Sequence, residues 1–366
     1  NNLIQARNLI ESLQLAELDN FFQEACLTAK PELIDQVDKT AAVIYPIILS
    51  DRLDVILSLP QQPLRHYSTN LPQKQIEETL EQLRQMLGRP SSSRRQILQL
   101  AQQIYDWLIR PGATEIKNSG VKTLVFVLDG VLRNIPMAVL YDGNQHLLQQ
   151  YNVAVAPGLQ LLEPQSLGQV QLKALMLGLS ESRDGFPPLP AVEKELQQIQ
   201  QVVPGTVLLN QQFTGENLRE QINSVPYPVV HLATHGKFSS SADNTFILTW
   251  DSRINVKQLD GFLRVRTQAR GQAIELLVLS ACETATGDRR ATLGIAGVAV
   301  RAGARSTLAT LWPVQDLATA TMMAGFYKEL ANHGKAEALR RAQISLSQNF
   351  KHPYYWAPFV LVGNWL

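Results

Sequence analysis

The chain has 366 residues, 45% apolar and 18% charged, with a formal net charge of +1 at pH 7. This composition predicts roughly two domains with a large core, excludes a disordered chain, and gives no sign of a nucleic-acid or anionic membrane surface. No apolar run approaches the roughly 20 residues of a membrane span. The two cysteines, Cys26 and Cys282, are too few for a disulfide framework or a zinc site. We therefore expect no metal, no cofactor and a reducing, cytoplasmic setting.

Residues 1–40 are predicted to be a helical lead-in. Apolar residues recur there at helical spacing: Leu9, Leu13, Leu18, Phe22 and Cys26. Asp19 is predicted to cap a second helix over 20–29, and Cys26 on its apolar face is predicted to be a buried, inert thiol. Because the pattern starts in mid-helix, we expect a fragment of a longer protein, whose upstream part could be a repeat array.

Residues 41–164 are predicted to form a first α/β unit. A hairpin over 41–49 and 51–59 is followed by a third strand at 66–69. Amphipathic helices are expected over 73–87 and 97–109, and further strands over 123–128 and 151–156. The unit contains no cysteine, so its His146 has no thiol beside it.

Strand–helix alternation restarts after a polar connector, within residues 165–366. Strands are predicted over 174–179, 206–209, 229–233, 276–280, 306–311 and 356–363, with a hairpin over 246–255. Helices are predicted over 191–202, 216–222, 293–302, 317–331 and 335–347. Glu193 and Glu195 fall in a first helical turn, where the helix dipole favours acids, and Thr214 is a predicted N-cap. Repeated β-α-β units with apolar strands predict an α/β fold, a mostly parallel sheet flanked by helices.

A cysteine and a histidine lie just past the carboxyl ends of two predicted strands. The run 276–279 leads to Cys282, and the run 229–233 leads to His235. Sites in α/β sheets form at this edge, and a thiol beside an imidazole supplies a nucleophile and its base. The separation of 47 residues (282 − 235) is close to the roughly 50 of caspases. A buried cysteine and a satisfied polar histidine are the structural alternatives.

Gly236 directly follows His235. A glycine lets the backbone approach a substrate carbonyl closely, so the N–H groups of Gly236 and Cys282 could form an oxyanion hole. The stretch 294–303 lacks the lysine and spacing of a phosphate-binding loop, which disfavours a nucleotide role.

Three motifs occur in order: HLATHG at 231–236, SACET at 280–284, and GARS at 303–306 running into LWPVQD at 311–316. Together they resemble the CHAT domain, a caspase-like family often found after tetratricopeptide repeats in bacteria, especially cyanobacteria. The family is similar to separase and belongs to the caspase–gingipain group of cysteine peptidases. The resemblance is spread over 165–366 and extends into the N-terminal half. The caspase signature Q-A-C-x-G is absent, so aspartate specificity does not carry over.

The resemblance implies a cysteine endopeptidase with Cys282 as nucleophile and His235 as general base or acid. His231, within the strand, is expected to be buried and structural. Residues 41–164 would be a related pseudo-protease half and residues 165–366 the active half. A protein or peptide substrate is implied, with regulation by a partner or by upstream tetratricopeptide repeats. Neither nucleic acid nor membrane is expected to bind.

Separase and several relatives accept a basic residue through an acidic pocket. Asp316 resembles an acid near that pocket, and Glu181, Asp184 and Glu283 are competing acids near the same strand ends. A carboxylate in a cleft attracts Arg or Lys through charge-assisted hydrogen bonds. The alternative for Asp316 is an N-cap of the helix that starts at 317.

Two other functions are considered. A non-catalytic signalling module could keep the fold for docking, but it would not need both His235 and Cys282. An acyltransferase or thioesterase could use the same pair, but the order of the motifs is peptidase-like.

Overall fold

The structure is a computed structural model that describes residues 2–22, 38–157, 171–238, 244–259, 261–262, 273–280, 282–284 and 304–366. Helix α1 spans Asn2–Phe22 without a break, so the predicted helix start at Asp19 is wrong. An N-cap residue type is only a preference, and helix continues through it here. Cys26 and the helix predicted over 293–302 lie outside the described residues. None of the described helices combines the length and apolarity needed to cross a membrane.

The N-terminal half contributes five of the described strands to a large sheet. They are β1 (Ala41–Ile48), β2 (Leu53–Ser58), β3 (Arg65–Thr69), β4 (Thr123–Phe126) and β5 (Asn152–Val155). The predicted hairpin and third strand are confirmed, because β1, β2 and β3 pair antiparallel, and β4 and β5 continue the sheet parallel to β1. The helices of this half are α2 (Gln73–Leu87), α3 (Arg94–Leu108) and α4 (Ala113–Asn118).

The C-terminal half continues the same sheet. Its strands there are β6 (Ala174–Gly178), β7 (Gly205–Leu209), β8 (Val229–Ala233), β12 (Leu276–Leu279), β14 (Ser306–Thr310) and β15 (Phe359–Gly363). Its helices are α5 (Val192–Gln200), α6 (Gly215–Ser224), α7 (Asp316–Leu330), α8 (Lys335–Asn349) and α9 (Pro353–Trp356). Within the described residues the sheet has eleven strands, in the order β3-β2-β1-β4-β5-β15-β14-β12-β8-β6-β7.

The direction of the strands reverses between β15 and β14 in this sheet. β15 is antiparallel to β14 and parallel to β5, which it meets at Val362 and Val155. The carboxyl ends of β1, β4 and β5 therefore lie at one edge, and those of β8 and β12 at the other. The division into domains at 164 and 165 stays a prediction. Strands of both predicted domains belong to one sheet.

A second, smaller sheet carries the chain beyond the ends of β8 and β12. It contains β9 (Gly236–Phe238), β10 (Phe246–Leu248), β11 (Arg253–Asn255) and β13 (Cys282–Thr284), in the order β11-β10-β9-β13. The predicted hairpin over 246–255 is confirmed as β10 and β11.

The continuous apolar runs of the central strands reflect burial on both faces. Along β8, Val229 and Ala233 belong to the core on the face of α5 and α7, and Val230 and Leu232 to the core on the opposite face with α6. His231 shares the parity of Val229, because side chains alternate along a strand. This parity directs it toward α5 and α7.

Helix α1 is attached to the N-terminal half through polar contacts. The Tyr45 hydroxyl donates to Glu11 at 2.8 Å, and the Gln14 amide donates to the Leu128 carbonyl at 2.8 Å. Arg133 donates in turn to Gln14 at 2.7 Å. Leu128 follows β4, so α1 lies at the carboxyl edge of the N-terminal strands.

Candidate active site

The candidate site begins where β8 and β12 end side by side. These buried strands pair in parallel, with Val229 opposite Leu276 and Leu232 opposite Leu279. After β8 the backbone is fixed to β10: Leu248 N–H donates to the His235 carbonyl at 2.8 Å, and the buried Thr234 hydroxyl donates to the Leu248 carbonyl at 2.7 Å. His235 is therefore held at a defined position just beyond the sheet edge.

Cys282 and His235 are delivered to adjacent strand positions. β9 and β13 pair in parallel with Cys282 opposite Gly236 and Glu283 opposite Lys237. Paired strands lie about 4.8 Å apart, so the backbone of Cys282 is within roughly that distance of the residue after His235. The backbones of the two predicted catalytic residues thus lie beside each other past the ends of β8 and β12.

The imidazole of His235 is oriented by the loop 181–190. Its Nε2 lies 2.8 Å from the Pro187 carbonyl oxygen, which can only accept, so Nε2 carries a proton. In the neutral ring Nδ1 is then the nitrogen with a free lone pair. The Phe186 ring stacks on the imidazole, with centroids 4.9 Å apart and planes at 28°.

That loop is anchored to the small sheet by two arginines. The Arg183 guanidinium lies 3.8 Å from the centroid of the Trp250 ring, and its Nε donates to the Trp250 carbonyl at 2.8 Å. Asp184 pairs with Arg253, whose guanidinium lies 4.7 Å from the Phe246 ring centroid. A cavity of about 430 Å³ opens beside these contacts, lined by Arg183, Asp184 and residues 248–253.

Asp316 is near His235 and caps a helix, but not its own. The N-cap of α7 is Gln315, and Asp316 is the first helical residue, so the N-cap alternative for Asp316 is wrong. Its Oδ2 instead accepts from the backbone N–H of Ala191, the N-cap residue of α5, at 2.5 Å. Burial raises the pKa of Asp316, the Ala191 N–H and the His235 charge lower it, and the Glu195 charge raises it.

The other predicted pocket acids are placed differently. Glu181 is exposed and accepts from the Asn210 amide at 3.1 Å, and Asp184 is occupied by Arg253. Glu283 lies opposite Lys237 in the β13–β9 pair, and its side chain lies outside the described part of the chain. Of the contacts among described residues, none joins Glu181 or Asp184 to His235.

His231 is buried as predicted, with no exposed surface. Its Nε2 lies 2.9 Å from Glu195 Oε1, and its Nδ1 lies 3.1 Å from the Tyr327 hydroxyl. Glu195 is 1% exposed and Tyr327 is fully buried. Burial, and secondarily the Glu195 charge, raise the pKa of Tyr327 well above its usual value.

Four residues of this site were missed by sequence reasoning: Phe186, Pro187, Glu195 and Tyr327. The signal for the first two is a bulky aromatic residue in a proline-rich loop directly before a helix. Glu195 was predicted as a helix-dipole acid, and its helical position is confirmed while its burial was not foreseen. Among the described side chains, no three His, Cys, Asp or Glu residues cluster as a metal site would require.

The sequence matches the CHAT domain over residues 98–364, and the chain belongs to that family. Tetratricopeptide repeat protein 28 of Mus musculus is 24% identical, over 71% of this chain and 13% of its own length. The chain thus spans a small part of the curated relatives that it matches. The tetratricopeptide repeats belong to that relative.

Two solved structures are similar to this chain in different degrees. Separase in the Saccharomyces cerevisiae separase–securin complex superposes with a TM-score of 0.55 at 10% identity, over 89% of this chain and 30% of that chain. The Arg-specific cysteine proteinase gingipain R gives a TM-score of 0.45 at 10% identity, over 80% of this chain and 74% of that chain. The likeness to separase supports the expected fold, a caspase-like, mostly parallel α/β sheet flanked by helices.

Proposed function

We propose that the chain is a cysteine endopeptidase in which Cys282 is the nucleophile and His235 the acid–base group. The observation that carries this proposal is the pairing of Cys282 with Gly236, one residue from His235. A thiol becomes a good nucleophile at neutral pH only beside a base or a positive charge. The family and the separase-like fold support the same chemistry.

The hydrogen bond of His235 assigns roles to its two nitrogens. With Nε2–H donating to the Pro187 carbonyl, Nδ1 takes the proton of the Cys282 thiol. The thiolate attacks the substrate carbonyl carbon, and the N–H groups of Gly236 and Cys282 stabilise the resulting oxyanion. Nδ1–H then protonates the leaving amine as the C–N bond breaks, which leaves a thioester. Water, deprotonated by Nδ1, hydrolyses the thioester and restores the thiol.

A basic residue before the scissile bond is the preferred substrate feature. Asp316 is half-buried, and its Oδ2 accepts from the Ala191 N–H, while Oδ1 has no hydrogen-bond donor among the described residues. An anchored carboxylate with a second oxygen available suits an arginine or lysine side chain. Glu181, Asp184 and Glu283 remain secondary candidates, and Asp184 would have to leave Arg253 first.

A protein partner or upstream tetratricopeptide repeats regulate the site. This part of the proposal is supported by the relative, tetratricopeptide repeat protein 28, and by the complex of separase with securin. The N-terminal half would be a pseudo-protease unit, in keeping with α1 at the carboxyl edge of its strands. A cytoplasmic location is proposed with it.

A positional peptide library tests the function. The wild-type chain, Cys282→Ala and the matched control Cys26→Ala are incubated with the library, with and without added upstream repeats. We expect cleavage after Arg or Lys by the wild type and by Cys26→Ala, and none by Cys282→Ala. Cleavage after other residues would contradict the role of Asp316. No Cys282-dependent cleavage under any condition would favour the non-catalytic module.

A further inference from the structure

Three segments beneath the candidate site are joined pairwise by hydrogen bonds. His231 joins β8 to α5 through Glu195 at 2.9 Å, and joins β8 to α7 through Tyr327 at 3.1 Å. The N-terminus of α5 is joined to α7 where Ala191 N–H donates to Asp316 at 2.5 Å. The three bonds close a triangle of β8, α5 and α7.

The hydrogen bonds in the buried part of this triangle can be satisfied together. Neutral His231 donates from Nε2 to the Glu195 carboxylate, and the Tyr327 hydroxyl donates its single proton to Nδ1. Buried carboxylates and imidazoles are costly unless they are hydrogen-bonded. A shift of α5 or α7 against β8 would break these bonds, so the network favours one relative position of the three segments.

The same segments carry the groups of the candidate site. His235 lies four residues after His231, and Pro187 lies eight residues before Glu195. The His231–Glu195 bond and the contact of His235 Nε2 with the Pro187 carbonyl therefore connect the same two stretches of chain. If the His231–Glu195 bond is lost, the distance between His235 Nε2 and the Pro187 carbonyl is no longer held fixed.

We propose that Glu195, His231 and Tyr327 are positioning residues that hold the Pro187 carbonyl against His235 and so fix its tautomer. The inference rests on the proposed role of His235 as the acid–base group. Without this support the imidazole rotates, either nitrogen carries the proton, and a smaller fraction of molecules offers Nδ1 to the thiol. A small misplacement of a catalytic group can lower the rate by a large factor.

Four variants separate positioning from simple stability. Glu195→Leu removes the carboxylate and fills its volume, and Glu195→Gln keeps an acceptor for His231. Tyr327→Phe removes only the hydroxyl that contacts His231. Tyr45→Phe is the matched control, because it deletes another buried phenol hydroxyl, one that donates to Glu11 in the N-terminal half.

Histidine-selective ¹⁵N NMR reads the tautomer directly. The chain has six histidines, and His235→Gln assigns the signals of His235. We expect the Nε2–H form of neutral His235 in the wild type, Glu195→Gln and Tyr45→Phe. In Glu195→Leu and Tyr327→Phe we expect a mixture of tautomers, and about a tenfold lower kcat for peptide cleavage with little change in KM.

The outcomes are distinguishable. A wild-type tautomer and kcat in both Glu195→Leu and Tyr327→Phe would overturn the positioning role, whatever their thermal stability. If Glu195→Leu does not fold, Tyr327→Phe decides alone. Because the NMR readout needs no turnover, absence of cleavage in the wild type would count against the peptidase function, while the tautomers would still decide the positioning role.

Discussion

Cys282 lies opposite Gly236 across the parallel strands β13 and β9, so the cysteine is one strand position from His235. The pairing depends on two buried strands, β8 and β12, ending at the same edge of the large sheet. Residues 46 positions apart (282 − 236) are thereby brought within one strand spacing. The proposed thiol–imidazole pair rests on this backbone pairing.

Replacing His235 by Gln should remove the base and keep the local structure. The Gln amide can still donate to the Pro187 carbonyl, but it cannot take a proton from the thiol. We expect kcat/KM for peptide cleavage to fall about 10² to 10⁴-fold, with the melting temperature nearly unchanged. His66→Gln, on the half-exposed β3, is the control and should retain wild-type kcat/KM. A His235→Gln variant within a few-fold of the wild type would contradict the assigned role.

Replacing Asp316 by Asn should change substrate recognition without lowering the stability of the fold. Burial raises the pKa of Asp316 above 3.8. Ionisation of Asp316 therefore costs more in the folded chain than in the unfolded chain. The stability contributed by the protonated carboxyl is fully present below pH 3.8 and is lost as the pH rises through the folded-state pKa. Asn keeps an oxygen for the Ala191 N–H, so the melting temperature at pH 7 should be unchanged or higher.

The same variant should lose preference for basic substrates. A charge-assisted hydrogen bond contributes roughly 1.5 to 3 kcal/mol, which corresponds to about a 10- to 100-fold lower kcat/KM for a peptide with Arg before the scissile bond. A matched peptide with Gln at that position should be cleaved equally by Asp316→Asn and the wild type. An equal loss on both peptides would contradict the pocket role.

Lys335 is not part of the candidate site. Its ionisation should make the free energy of unfolding depend on pH. Its side chain is fully buried, and burial lowers its pKa from 10.5 to about 7, with Arg305 adding to the shift and Glu275 opposing it. Since the unfolded chain still binds this proton up to pH 10.5, the free energy of unfolding should rise between about pH 7 and pH 10.5. That stability is lost as pH falls toward 7.

Lys335→Met should flatten this dependence. It removes a buried ammonium, so we expect the free energy of unfolding at pH 6 to increase by on the order of 1 to 4 kcal/mol. Denaturant unfolding at several pH values measures both quantities. Lys74→Met, at a lysine whose side chain is 86% exposed, is the control and should keep the wild-type slope. A less stable Lys335→Met with an unchanged slope would show that the lysine is not buried as an ammonium.

Local patterns predicted the elements well, because periodicity reports burial directly. Helix α2 was predicted at its observed bounds, and Thr214 does cap α6, accepting from the Asn217 N–H at 3.1 Å. Contacts between distant segments were not predictable. Nothing near His231 in sequence indicates that Glu195 and Tyr327 meet it, and Asp316 caps α5 across 125 residues. Such partners are selected by tertiary packing.

The candidate site was predictable only in part, because local patterns do not reveal contacts between distant segments. Strand ends and motif order led to Cys282, His235 and Gly236, which the fold brings together. The pocket acids were chosen by charge and sequence position alone, and the pairing of Asp184 with Arg253 depends on how the loop 181–190 folds onto the small sheet. Sequence position does not reveal that fold.

The pairing of Cys282 with His235 is tested by the site of covalent labelling by a peptidyl chloromethyl ketone that carries arginine next to the reactive group. Intact mass and peptide mapping are simple, because the chain has only Cys26 and Cys282. We expect a single adduct on Cys282 in the wild type and in Cys26→Ala, greatly slowed in His235→Gln and absent in Cys282→Ala. Equal labelling of both cysteines, or labelling of Cys282 at the same rate in His235→Gln, would contradict the pairing.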